Sequence, residues 1–185
     1  MTRDAAATRQ RLLEQARRQF VRSGYTAVTV KGVADAAGVS PNLVTRYFGG
    51  KEGLFLAATE VTIPVAASFD GDLGDLGSRL ASRIVERWFG GTDADPLLVL
   101  HRASGERPEA AEALSAFLDR SSVEPLYDYF RTCGLDDDEA RARATAIDVF
   151  VLGVSTRWRV LRSDLPDREH LEAWLADAVQ KLADG

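Results

Sequence analysis

A chain of 185 residues with 45% hydrophobic content can bury a sizeable core in one or two units, and its apolar runs are too short to cross a bilayer. The net charge of −5 argues, taken whole, against a polyanionic partner. Residues 1–51, however, hold nine Lys/Arg against three acids, leaving 14 bases and 25 acids beyond them, so a cationic head precedes an anionic body. Screening over about 10 Å at 0.1 M salt lets such a head act through its own field. The single cysteine, Cys133, excludes an internal disulfide, and the charged first thirty residues lack the pattern of a secretory leader. Both suit a cytoplasmic protein.

Helical periodicity dominates, and the predicted class is all-α. The first helix is expected over 8–22, with Leu12, Leu13, Ala16 and Phe20 inward and Ser23-Gly24 ending it. Val30, Val33, Ala34 and Ala37 then recur at i, i+3, i+4 and i+7, one apolar face of a two-turn helix. Thr29 stands where a hydroxyl caps exposed N–H groups, and Gly38 where a left-handed turn is needed. Ser40 and Pro41 read as cap and first residue of the next helix. In it Leu43, Val44, Tyr47 and Phe48 anchor the core, which leaves Pro41, Asn42, Thr45 and Arg46 outward. This is a helix-turn-helix pattern, whose second helix fits the major groove of duplex DNA; an ordinary corner between two helices is the alternative.

Gly49-Gly50 breaks the chain, and Lys51 opens a longer helix with Leu54, Ala58, Val61 and Val65 on one side and Pro64 bending or ending it. Alternating Asp and Gly over 69–77 mark a linker; the order of ligands is wrong for a calcium loop. Helices follow over 78–89, from Asp95-Pro96 to 104, and over 108–131, the last kinked at Pro125. Asp136 with Glu139 forms a capping box for a helix reaching 162. Along it Ile147, Val151, Val154, Trp158 and Leu161 form a heptad-like seam. The final helix, over 167–183, carries Leu171, Leu175, Ala178 and Leu182 beside Trp174. Two such seams pack either on their own subunit or across a two-fold axis. The dimer is the expectation, because both helices are apolar beyond one narrow stripe and one short recognition helix offers few base contacts.

Residues 8–55 closely resemble the tetracycline-repressor (TetR) family of bacterial one-component regulators. The likeness rests on the leading helix, on Thr29 to Ser40 (TVKGVADAAGVS), and on Arg46 to Phe55 (RYFGGKEGLF). One departure is Thr45, where the family usually has Tyr; threonine can still meet a phosphate or a thymine methyl but lacks the aromatic reach. The resemblance implies a head over 1–50, three helices plus the start of a fourth, and a helical effector-binding and dimerisation body over 51–185. It further implies a homodimer on a palindromic operator, released by a small molecule that alters the separation of the heads. Thr29, Lys31, Pro41, Asn42, Thr45, Arg46, Tyr47 and Lys51 fall at its DNA-facing positions. Arg46 offers a fork for guanine or a phosphate, Asn42 a donor–acceptor pair for adenine, and Tyr47 either a phosphate contact or core packing.

For a hydrophobic ligand, the bulky and polar residues of the middle helices are candidates: Trp88, Phe89, Leu98, His101, Arg102, Phe117, Tyr127, Phe130 and Phe150. No catalytic or metal-binding motif accompanies His101 and His170, and Gly50-Lys51 lacks the rest of a phosphate loop, so no enzyme activity, cofactor or metal is expected. A helix-turn-helix binder with no small-molecule effector is the competing reading, and a body without an enclosed apolar cavity would favour it.

Overall fold

The computed structural model describes residues 3–60, 69, 71–90, 95–164 and 166–185, and among these there are helices and turns but no strand. No helix of the described residues is long and apolar enough to cross a membrane. The helices are α1 (Arg3–Ala27), α2 (Val30–Ala37), α3 (Asn42–Phe48), α4 (Lys51–Ala58), α5 (Leu76–Gly90), α6 (Pro96–Ser104), α7 (Pro108–Leu118), α8 (Glu124–Thr132), α9 (Asp137–Ser155) and α10 (Arg168–Asp184). They form two compact units, Met1–Thr62 with Thr92–Leu114, and Ile63–Gly91 with Ser115–Gly185. The first unit thus extends past residue 50, taking in α4 and α6.

In the first unit Leu12, Ala16, Phe20, Val33, Val44, Leu54, Phe55 and Ala58 are fully or almost fully buried, as the apolar spacing requires. Phe20 meets the ring of Phe55 edge-on at 5.4 Å, and Arg17 donates its Nε–H to the Ala58 carbonyl at 3.0 Å, satisfying an orphan acceptor at the end of α4. The stop expected at Ser23-Gly24 is present as a break: Gly24 leaves the helical region at φ 75°, ψ 173°. The α1 helix also starts earlier than periodicity indicated, at Arg3. The expected continuation of α4 through Val61, Pro64 and Val65 lies outside the described residues. Asp95, buried at the start of α6, accepts the Leu97 N–H at 3.0 Å.

In the second unit α5 lies along α10. Leu76, Ala81, Val85, Leu171, Leu175, Val179 and Ala183 are without exposure, so α5 begins inside the stretch expected to be linker because Leu76 is a core residue. A short 3₁₀ turn, Leu73–Asp75, leads into it. Asp136 caps α9 by accepting the Glu139 N–H at 2.9 Å, and Asp167 caps α10 through the His170 N–H at 3.1 Å. The helix expected over 108–131 is present without a break as α7 and α8, which run into each other through one π-helical turn, Asp119–Val123. That wider turn precedes Pro125, whose ring would crowd the carbonyl four residues back in a regular helix. A second π-turn, Thr156–Val160, follows α9.

Asp148 on α9 is the odd residue of this unit. Burial pushes its carboxyl above the usual range, the Ser122 hydroxyl donated from the π-turn opposes this, and the nearby Asp119 adds to the rise. A carboxyl whose pKa is raised by folding penalises the fold at neutral pH, and the penalty fades as pH falls through the folded value. Asp148→Asn should therefore raise stability at pH 7 by about 0.5–1 kcal/mol, after allowance for partial exposure. Thermal melts from pH 7 down to pH 4 should show the gain shrinking with acidification.

Candidate nucleic-acid interface

The turn between α2 and α3 is built from local chemistry. Thr29 Oγ1 accepts the Gly32 N–H at 3.0 Å, so the expected N-cap is in place. Gly38 adopts φ 67°, ψ 38°, its N–H bonds to the Asp35 carbonyl at 3.1 Å, and the Val39 N–H bonds to that of Ala34 at 3.0 Å. This pairing closes α2 and needs a left-handed residue. At α3 the expected serine cap is absent: no side chain caps the helix, and its first bonds run to the backbone carbonyls of Ser40 and Pro41, both 3.0 Å. Pro41 already has helical angles, so the turn continues from it without help from the Ser40 hydroxyl.

Val44 is fully buried and fixes the roll of α3. On the opposite side Asn42, Thr45 and Arg46 are exposed at i, i+3 and i+4, one contiguous face carrying an amide, a hydroxyl and a guanidinium. Pro41 flanks them, half-buried. Tyr47 is also half-buried, its ring edge-on to Phe48 at 6.5 Å, so packing and a free hydroxyl coexist on it. Lys31 is 79% exposed and pairs with Asp35 at 2.7 Å, which holds its ammonium charged. Such an exposed pair is easily exchanged for another anion.

Lys51 is less free than its sequence position suggested. Its Nζ donates to the Thr26 carbonyl at 3.2 Å and lies 4.4 Å from the centroid of the Tyr25 ring. Tyr25 in turn donates its hydroxyl to Glu52 at 2.7 Å, and Arg107 grips the same carboxylate through two N–H groups at 3.0 and 2.7 Å. Sequence reasoning missed Glu52, Glu106 and Arg107, since nothing local ties Glu52 to a residue 55 positions away. Arg9 was missed too; its guanidinium lies 4.9 Å from the Phe48 ring centroid.

The residues expected to line a pocket and a dimer seam are found in both units. Leu98, His101 and Arg102 belong to the first unit, Leu98 buried and the other two half-buried. In the second unit Trp88 and Phe89 lie 5.5 and 5.0 Å from Trp158, and Phe150 lies 5.5 Å from Trp174. Phe130 and Phe117 are buried, while Tyr127 donates to Asp137 and carries Arg141 over its ring. Of the seam, Ile147, Leu171 and Leu175 are covered by their own subunit, at 2%, 0% and 0% exposure, because α5 and α8 supply the apolar surface that heptad spacing alone leaves unassigned. Val151, Val154, Trp158, Ala178 and Leu182 are partly buried, and Leu161 and Trp174 are exposed.

Comparison with known proteins is consistent with this architecture. The family model described as bacterial regulatory proteins, tetR family, matches residues 12–58, and the tetracyclin repressor-like C-terminal domain matches residues 74–182. Over 50 residues the chain is 46% identical to the HTH-type transcriptional repressor AcnR of Corynebacterium glutamicum, a stretch covering 27% of each protein. Among solved structures it is similar to NalD, the secondary repressor of the MexAB-OprM multidrug efflux pump in Pseudomonas aeruginosa, at TM-score 0.71 and 22% identity over 96% of this chain and 97% of that one. The fatty acid degradation regulator FadR of Bacillus halodurans gives TM-score 0.70 at 18% identity, covering 96% and 95%. At such identities the structures speak for the fold.

Proposed function

We propose that this chain, which belongs to the tetracycline-repressor (TetR) family of bacterial regulatory proteins, is a dimeric repressor that a small hydrophobic ligand releases from a palindromic operator. The observation that carries the reading is the outward face of α3. Asn42, Thr45 and Arg46 project together from a helix whose roll is fixed by buried Val44, in a head whose first 51 residues are strongly cationic. Such a face places two groups capable of bidentate base contacts one helical turn apart.

Pairing of two heads is supported by apolar surface on the second unit. Val149, Leu161 and Trp174 are 61%, 66% and 45% exposed on α9, after its π-turn and on α10, where a second copy would cover them. The Trp88, Phe89 and Trp158 cluster offers the aromatic lining for a hydrophobic effector. Repression of an efflux pump and regulation of fatty acid degradation, the roles named for NalD and FadR, are settings in which such an effector is expected.

Two substitutions test the head. Lys51→Ala should weaken specific and random duplexes alike and flatten the salt dependence by about one unit per bound head. Arg46→Ala should cost the operator about 1–3 kcal/mol and relax preference at one base pair. Fluorescence anisotropy on DNA from upstream of the protein's own gene, beside a scrambled duplex, separates them. Equal losses on both duplexes for Arg46→Ala would assign Arg46 to the phosphate backbone instead.

A further inference from the structure

Lys51 rests on two residues, Tyr25 and Thr26, that lie just past the Gly24 break in α1. Past such a break the segment is held by side-chain contacts: the Tyr25 ring packs on Phe20 and Phe55, 6.0 and 5.0 Å between centroids. Further, polar tethers come from the turn between α6 and α7, about eighty residues further along the chain. Glu106 accepts the Thr26 N–H at 3.2 Å and the Thr26 hydroxyl at 3.1 Å with the same carboxylate oxygen. The Arg107 guanidinium lies 4.2 Å from the Tyr25 ring centroid while holding Glu52 bidentately, and Glu52 takes the Tyr25 hydroxyl.

The charges explain why the arrangement holds together. Two cations, Lys51 and Arg107, approach one tyrosine ring, at 4.4 and 4.2 Å, and would repel each other without a counter-charge. Glu52 supplies it. The Tyr25 hydroxyl, and then Arg107, keep its carboxyl below the usual range, so it is an anion at neutral pH. Arg107 keeps only 19% of its side-chain surface exposed against 55% for Glu52, which makes the guanidinium the fixed member of the pair.

We propose that Glu106 and Arg107 are positioning residues for DNA binding: acting through Thr26, Tyr25 and Glu52, they hold the Lys51 ammonium where a backbone phosphate meets it. The inference rests on the DNA-binding reading above and assigns a role in it to a turn outside the helix-turn-helix. It makes a prediction that the field of the head alone reverses in sign. Removing a carboxylate beside a phosphate contact raises affinity for a polyanion if charge is all that matters. If Glu52 and Glu106 hold Lys51 in place, removing either lowers affinity.

The test uses the full chain and two duplexes, one from upstream of its gene and one scrambled, titrated by anisotropy across salt. Glu52→Ala, Glu106→Ala and Arg107→Met are each made with Lys51 present and in a Lys51→Ala background. With Lys51 present, each should weaken both duplexes about three- to tenfold; in the Lys51→Ala background the loss should disappear, since coupled residues are non-additive. Tighter or unchanged binding by the two glutamate variants overturns the proposal, as does a loss of equal size when Lys51 has been replaced. Should a variant lose helicity, Tyr25→Phe, which changes no charge, takes its place with the same expectation and the same reversal. Wild-type protein with no salt-sensitive affinity for either duplex would instead bring down the DNA-binding reading itself, and the proposal with it.

Discussion

Gly77→Ala should cost the protein about 3 kcal/mol or more, the upper range for overpacking, because nothing at that contact can yield. Gly77 sits in the first turn of α5 where the α10 backbone passes closest. A methyl group there would run into the Ala176 carbonyl oxygen and would lie 2.8 Å from the backbone N and Cβ of Gln180. Backbone cannot swing aside as a side-chain end does, so the two helices must part. Parting them also breaks the clasp that Gln180 makes: its carbonyl accepts the Gly77 N–H at 2.9 Å, and its amide donates to the Leu73 carbonyl at 3.0 Å. Leu76, Ala81, Val85, Leu171, Leu175 and Val179, all without exposure, then lose contact along the same line. A gap of about 0.5–1 Å already forfeits a quarter to a half of each dispersion contact. With domain stabilities of about 5–15 kcal/mol, the loss should appear as a melting temperature lower by roughly 6–12 °C. A melt within about 1 °C of wild type would mean the helices tolerate separation.

Gly53→Ala should leave the second unit folded and disable the head, with duplex affinity falling roughly tenfold or more, as strain of about 1–3 kcal/mol at the turn implies. Gly53 lies in the first turn of α4 against the last residue of α3, and a Cβ on it would collide with the Phe48 carbonyl oxygen. The turn between them leaves little freedom to adjust. Gly49 and Gly50 take φ 77° and 123°, and Gly49 closes α3 with an N–H to the Thr45 carbonyl at 2.9 Å. Relief of the collision must move the end of α3 relative to α4, which shifts Arg46 and Tyr47 with respect to Lys51. Anisotropy with duplex DNA, read beside far-ultraviolet circular dichroism, distinguishes a displaced recognition helix from a lost one. Wild-type affinity would show that the spacing of α3 and α4 does not set the DNA-binding surface.

Local chemistry was the most legible part of this sequence. Thr29, Gly38, Asp95-Pro96 and Asp136 with Glu139 each mark a helix end through bonds spanning two to five residues, and each is found where it was expected. Ser40 failed because Pro41 already holds helical angles, which a cap preference does not encode. The outward face of α3 was legible because buried Val44 and exposed Asn42, Thr45 and Arg46 alternate at helical spacing. Partners distant in sequence were not. The spacing of Ile147, Leu171 and Leu175 reveals an apolar stripe, but only the fold reveals that their own subunit covers it. Gly77 carried no signal in sequence, since its value is the absence of a side chain opposite a helix 99 residues away. The hold of Arg107 on Glu52 is of the same kind. It depends on a turn brought back onto the head by α6 packing along α1, which no local pattern foretells.

The most direct measurement is the affinity of the purified protein for double-stranded DNA from upstream of its own gene, followed from 50 to 300 mM salt (about the usual working range). Log affinity should fall linearly with log salt, with a slope of about −3 to −4 if Lys31 and Lys51 of two heads each neutralise a phosphate. The complex should contain two protein chains per duplex site. Absence of binding to that DNA and to random duplex even at the lowest salt would contradict the account.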